Sequence, residues 1–206
     1  RRAGTLPLNS SLRDVFPTAQ RAPRIYVTLV DGQDGEEYVG WVVHEEDYVL
    51  GLGAFYQKHQ VPVGAVIKAH RDGGPGRIVI DINAYRPRTE YVTVFSLKDN
   101  QPTFESLKRP IGTDFDDLMV LGVEQLEQID ALGESRSMQN RPLAALLKTL
   151  ITPLGALTPQ GAVHAKTLYS AVNVLRRCPP APIFATLHAN PDFENVGGHY
   201  WKLSER

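Results

Sequence analysis

The chain has 206 residues, 42% of them hydrophobic and 22% charged, a balance that supports a packed core and excludes wholesale disorder. Collagen-like, coiled-coil and disulfide-scaffold compositions are excluded as well, and the length allows one large domain or two small ones. The formal net charge of -1 argues against a strongly basic binder of nucleic acid, but that total is a cancellation between regions of opposite sign.

Residues 1–24 carry five Arg against one Asp, giving +4, among Pro, Ser and Asn. They are expected to form a basic arm in which Arg13, Arg21 and Arg24, with Arg1 and Arg2, follow a phosphate backbone. A tether between domains explains the same composition. Residues 25–90 hold six basic and ten acidic side chains, giving -4. Ile25–Val30 is β-branched and aromatic and ends at Asp31-Gly32, a turn signal, and Tyr38–Val43 follows as its hairpin partner. Gly51 to His59 reads as one short helix. Ala65–Ala69 and Arg77–Ile82 flank the turn Asp72–Gly76, and Tyr91–Phe95 makes a fifth strand. Short strands at this spacing predict a small β-barrel over residues 25–95. Arg86 and Arg88 at its exit, with Arg71 and Arg77, form a candidate phosphate surface.

Residues 96–141 read as a connector. Within them 113–141 hold two basic and seven acidic side chains, giving -5. Thr113–Asp116 has the form of a capping box, and Phe115, Leu118, Met119, Leu126 and Ile129 recur at helical spacing. An acidic amphipathic helix, interrupted at Gly122, is expected from Thr113 onward. Its stripe at Leu118, Leu126 and Ile129 is a candidate surface for a homodimer or a protein partner. Asp114, Asp116 and Asp117 lack an EF-hand spacing and read as a solvated helix start rather than a metal site.

Residues 142–206 sum to +3, from six basic and three acidic side chains. Pro142 opens a helix with Leu143, Leu146, Leu147 and Leu150 on one face, ending near Thr152-Pro153. A second helix is expected from Thr158-Pro159 to Arg176-Arg177, and a third from Pro182 to Asn190-Pro191. Phe193–Val196 and His199–Leu203 flank Gly197-Gly198, a hairpin signal. Three helices and a hairpin give the order of a winged helix-turn-helix. The predicted fold is therefore α+β: a small N-terminal β-barrel, a helical connector and a C-terminal winged helix.

Two resemblances attach to these segments. Val163–Tyr169, Pro182–Leu187 and the closing Asn190-Pro-Asp-Phe193 and Val196-Gly-Gly-His-Tyr-Trp-Lys-Leu203 resemble the HARE-HTH winged helices, across about a third of the chain. That resemblance implies a DNA-associated adaptor module, found beside chromatin, transcription and restriction domains. The Pro179-Pro180 junction departs from its pattern at the turn before the third helix. Val27–Asp31, Tyr48–Gly51, Phe55 and Val61–Gly64 resemble the DNA-binding pseudobarrel of plant transcription factors, the "B-three" domain. Here Gly53-Ala54-Phe55 lacks that family's Trp, and Ala65 stands where it has Asp.

From Val163 to Ala189 the chain has Lys166, Arg176, Arg177, His164 and His188 and no acid. Such a run suits phosphates, although a helix C-terminus also favours Arg176-Arg177. The winged-helix reading makes Thr186, His188 and Asn190 candidate base readers or phosphate contacts, and places His199 at the wing tip. Asn190 before Pro191 also reads as a helix stop.

No G-x-S-x-G, H-E-x-x-H or P-loop pattern occurs, and no metal or cofactor is expected. Cys178 reads as a structural thiol and, alone in the chain, points to a reducing compartment. No run of 18 apolar residues is present, and no signal-peptide core lies near the start. The expectation is a cytoplasmic DNA-binding protein without catalysis, associated with the nucleoid in a bacterial cell, in a regulatory or restriction and modification setting. The alternatives are a protein-interaction adaptor, or a targeting piece of a larger nucleic-acid enzyme, since the chain starts at Arg1 rather than Met.

Overall fold

A computed structural model describes residues 4–19 and 21–204. The chain divides into two compact units, formed by the described residues of Arg1–Arg88 with Ile111–Asp116 and of Thr89–Pro110 with Asp117–Arg206. The fold is α+β, and its first sheet curls into a half-barrel.

The first unit contains β1 (Thr5–Pro7), α1 (Ser10–Arg13), β2 (Arg24–Asp31), β3 (Glu37–Val43), β4 (Tyr48–Leu50), α2 (Gly53–Lys58), β5 (Ile67–Arg71) and β6 (Arg77–Ile82). Its sheet has the order β1-β4-β3-β2-β6-β5. β2 and β6 run parallel; their other neighbours are antiparallel. Alternation in β2 and β6 sends Val27, Leu29, Ile78, Ile80 and Ile82 inward, where they pack with Phe55 and Val61. Gly51 adopts φ +114°, and a Cβ there would lie 2.2 Å from the Val39 carbonyl oxygen, so only glycine lets the chain leave β4 at that point.

The N-terminal segment departs from the expected arm. Leu6, Leu8 and Phe16 are buried in this core, β1 pairs with β4, and the Asn9 side chain caps α1 by accepting from the Ser11 and Leu12 N–H groups. Three apolar side chains spaced through an Arg-rich segment outweigh its composition. Arg1 and Arg2 lie outside the described residues.

The remaining elements are β7 (Ala84–Lys98), β8 (Gln101–Thr113), β9 (Gly122–Val123), α3 (Leu126–Glu134), α4 (Arg136–Gln139), α5 (Leu143–Gly155), β10 (Val163–His164), α6 (Ala165–Leu175), α7 (Pro180–Ala189), β11 (Phe193–Gly197) and β12 (Tyr200–Leu203). β7 and β8 are neighbours, and each runs from one unit into the other. Asp99 and Asn100 between them both have positive φ, 51° and 59°, as a two-residue hairpin turn requires.

Thr113–Asp116 is not a helix start. Thr113 ends β8, Phe115 bridges to Ala65, and the backbone of Asp114 and Asp116 is taken up by Val66 and Gly64. A ladder that satisfies these backbone groups displaces the helix that the capping pattern predicts. Helix begins only at Leu126. Gly122 belongs to β9, where a Cβ would press at 2.7 Å on Val94 of β7, so its role is close strand approach rather than a helix break.

The last 65 residues give helix, strand, helix, helix and hairpin, with a sheet ordered β10-β12-β11. The expected three helices and closing hairpin are present, with the short strand β10 between the first two helices. α5 continues past the expected stop, with Pro153 inside its last turn. α6 starts later than expected, because Thr158 Oγ1 binds the Gly155 and Ala162 carbonyls in a turn while His164 caps the helix. Leu146, Leu150, Leu168, Val172, Ile183 and Leu187 share a core with Phe95, Leu97 and Phe104 of the β7–β8 pair.

Candidate nucleic-acid interface

The winged-helix candidates fall into three places. At the start of α6, His164 Nδ1 accepts from the Lys166 N–H, 3.1 Å away. The His199 ring lies 6.2 Å from that of His164, and Tyr200 lies 5.0 Å from it. The Ala165 N–H donates to the His199 carbonyl at 3.0 Å, and His199 itself sits at φ +65° beyond Gly197 and Gly198. Lys166, His164 and His199 are thereby gathered where the first turn of α6 meets the wing. A helix N-terminus favours anions, and Lys or protonated His beside it adds to that preference.

At the end of α7, His188 packs edge-on against Trp201 with ring centres 4.8 Å apart. Thr186 donates to the Pro182 carbonyl at 2.8 Å. Asn190 accepts from the Asp192 N–H at 2.9 Å and stops the helix. Two of the three candidate base readers therefore spend side-chain hydrogen-bonding capacity on their own backbone. The exposed residues of α7, among them Ala181, Phe184 and Ala185, are apolar apart from His188.

The third place is the junction after α6. Arg176 donates through one terminal nitrogen to the carbonyls of Met138, Gln139 and Arg141, at 3.3, 3.1 and 2.8 Å. Its guanidinium closes the carbonyl end of α4. Arg177 beside it is exposed. Burial pushes the Cys178 thiol above its ordinary pKa, against the pull of Arg176, which keeps it a poor nucleophile at neutral pH.

The first unit does not bring its arginines together. Arg13 is held by Asp47, 3.0 Å away, at the rim of a cavity of about 330 Å³ lined by Leu8, Phe16, Thr18 and His44. Arg71 donates to the Val15 and Asp14 carbonyls and fastens the N-terminal segment. Arg77 pairs with Glu37 and Asp72. Arg24 lies 5.3 Å over the Trp41 ring and Arg88 5.2 Å over Tyr85, while Arg21 and Arg86 are exposed.

Among the candidate partner residues, Ile129 is fully buried and Leu118 is half-buried, leaving Leu126 as the exposed member. The stripe that helical spacing assigns to a partner therefore faces the core of the second unit at Ile129.

One cluster escaped the sequence reading. The Asp31 side chain is fully buried, and its Oδ2 accepts from Lys58 Nζ at 2.9 Å and His59 Nε2 at 2.6 Å, while Oδ1 accepts from the Gln33 N–H at 2.9 Å. Lys58 also reaches Asp34 and Glu36. Burial pushes the Asp31 carboxyl up, but the hydrogen bonds from His59, Gln33 and Lys58 outweigh it and hold it below the usual carboxylate range. Bonds to Asp34 and Glu36 raise Lys58 above the ordinary ammonium range. Asp31-Gly32 carried a turn signal, but nothing in the spacing announces that Lys58, more than twenty residues on, returns to it.

Among the described residues, no group of three or more His, Cys, Asp or Glu is placed to hold a metal ion, and no helix is long and apolar enough to cross a membrane. No family model matches the chain, and neither a curated protein nor a solved structure matches it.

Proposed function

We propose that this is a DNA-binding protein without catalysis, whose winged helix-turn-helix holds the phosphate backbone and reads little sequence. One observation carries the reading: Lys166, His164 and His199 meet where the first turn of α6 approaches the wing, within a run from Val163 to Ala189 that has no acid. Phosphate contacts fix position and supply most non-specific affinity, whereas base discrimination needs bidentate side chains on the groove-facing helix. The outward face of α7 offers none, so affinity is modest and insensitive to sequence. Arg177, exposed after α6, adds a second permanent cation beside Lys166. The HARE-HTH and pseudobarrel resemblances support the same class of ligand, and the reducing compartment that a single cysteine favours is the cytoplasm.

Fluorescence anisotropy of a labelled duplex across a salt series tests this. With about two phosphates neutralised by Lys166 and Arg177, the logarithm of affinity falls against that of salt with a slope near -2. Lys166→Ala with Arg177→Ala takes the slope close to zero, uniformly across duplex sequences. Absence of binding at low salt sinks the reading. A specific observation favours a second one, a protein-interaction adaptor: Ala181, Phe184 and Ala185 make the α7 face apolar. Phe184→Ser with unchanged DNA binding but loss of self-association in light scattering supports that alternative.

A further inference from the structure

His164 belongs to two elements at once. It is the last residue of β10, paired with Tyr200 of β12, and its backbone, at φ -68° and ψ 143°, is the extended N-cap of α6. The caps that helices favour are Ser, Thr, Asn and Asp, whose oxygens accept a hydrogen bond from the first turn. Here an imidazole nitrogen takes that part, Nδ1 accepting from the Lys166 N–H at 3.1 Å. A ring nitrogen accepts only while it carries no proton. The cap therefore exists in the neutral ring and is abolished in the imidazolium, which donates from both nitrogens.

The groups around the ring oppose its protonation. A cation at a helix N-terminus works against the helix dipole. α6 itself contributes Lys166 and Tyr169, and the β11–β12 hairpin contributes Tyr200, Lys202 and His199, whose ring lies 6.2 Å from that of His164. α5 carries one titratable side chain, Lys148. Asp192 and Glu194 are engaged by Lys148 and Lys202. Asp117 precedes Leu118, whose carbonyl accepts from Thr167 Oγ1 at 2.6 Å in the same turn of α6, and Glu205 lies outside the described residues. The helix start is also tied to the hairpin through the Ala165 N–H, which donates to the His199 carbonyl at 3.0 Å. Loss of the cap is thus felt where α6 and the hairpin join.

We propose that His164 is an acid-sensitive latch: neutral, it caps α6 and holds the helix start on the β10–β12 ladder; protonated, it releases the Lys166 N–H and frays the first turn of α6. The stabilisation is present at high pH, where the ring is neutral folded or unfolded. It is lost as pH falls from about 8 to about 5, the range in which histidine changes charge. The latch does not depend on what α6 and the hairpin bind.

Amide hydrogen exchange of the full chain, followed residue by residue by NMR and corrected for the intrinsic rate at each pH, reads the cap at Lys166. Protection of the Lys166 amide falls about fivefold across this range, the factor equivalent to a cap of about 1 kcal/mol. His164→Asn supplies a favoured capping oxygen that does not titrate, so the variant folds and its protection at Lys166 stays level. Nitrogen chemical shifts of the His164 ring at the alkaline end show Nδ1 without a proton and Nε2 with one. The proposal is overturned if wild-type protection at Lys166 stays level as pH falls, if the His164→Asn protein loses protection in parallel with the wild type, or if Nδ1 carries the proton in the neutral ring.

Discussion

At Thr113 the side-chain oxygen is buried and has no hydrogen-bond partner among the described residues. Sequence spacing assigns this hydroxyl to a helix cap, where it would accept from a backbone N–H; the strand ending that replaces the helix leaves it nothing to bind. A buried hydroxyl without a partner costs about 1–3 kcal/mol. Thr113→Val keeps the shape and removes the polar atom, so it is expected to stabilise the protein by about 1 kcal/mol, seen as a higher urea midpoint at unchanged slope. Arg176 shows the complementary difficulty. Counting charges marks it as a phosphate contact, but a count is blind to where hydrogen bonds go, and three backbone carbonyls claim this guanidinium. Lys166 and His199 are legible because they follow from the positions of a helix start and a Gly-Gly turn, both local signals.

At the scale of elements, α2 is fastened to the β2–β3 turn by Asp31. Its carboxyl titrates below the ordinary value of 3.8 in the folded chain, so the stabilisation is fully present above that value and is lost as pH falls through the depressed one. Asp31→Asn is expected to cost about 2 kcal/mol at neutral pH, the scale of hydrogen bonds to a charged group. It also makes the loss of stability below about pH 4 shallower than in the wild type, as circular dichroism melts across pH would record. A wild type whose acid transition keeps its slope after the substitution contradicts this account. Strands β2, β3 and β6 and helices α5 to α7 were legible because period and turn residues agree there. The long β7–β8 pair was not, since only Tyr91–Phe95 has a strand composition, while the rest of both strands is largely polar and interrupted by Pro87, Pro102 and Pro110. Long-range pairing, rather than local propensity, makes those residues strands.

The described residues form two cores, and their borders do not follow the borders drawn by composition. Phe95, Leu97, Phe104, Val120, Ile129 and Met138 share one core with α5, α6 and α7, although all six precede Pro142. A fragment of residues 142–206 therefore exposes the apolar face those side chains cover. It is expected to bind a hydrophobic dye and melt well below the full chain, whereas a native-like, cooperative melt of the fragment would show that the six are dispensable. Charge is likewise distributed rather than summed. The acid-free run from Val163 to Ala189 and the acid-rich 25–90 segment nearly cancel in a chain whose total is -1.

Lys58 gives the acidic turn a counter-ion that cannot leave. Carboxylates at Asp31, Asp34 and Glu36 would otherwise repel one another and hold a diffuse atmosphere of dissolved cations, thinning as the medium is diluted. Here the neutralising charge is covalent and arrives with α2, so docking of the helix and closure of the turn become one event with no ion to recruit. The neutralising charge at this turn is thereby supplied by the chain's own ammonium rather than by dissolved cations.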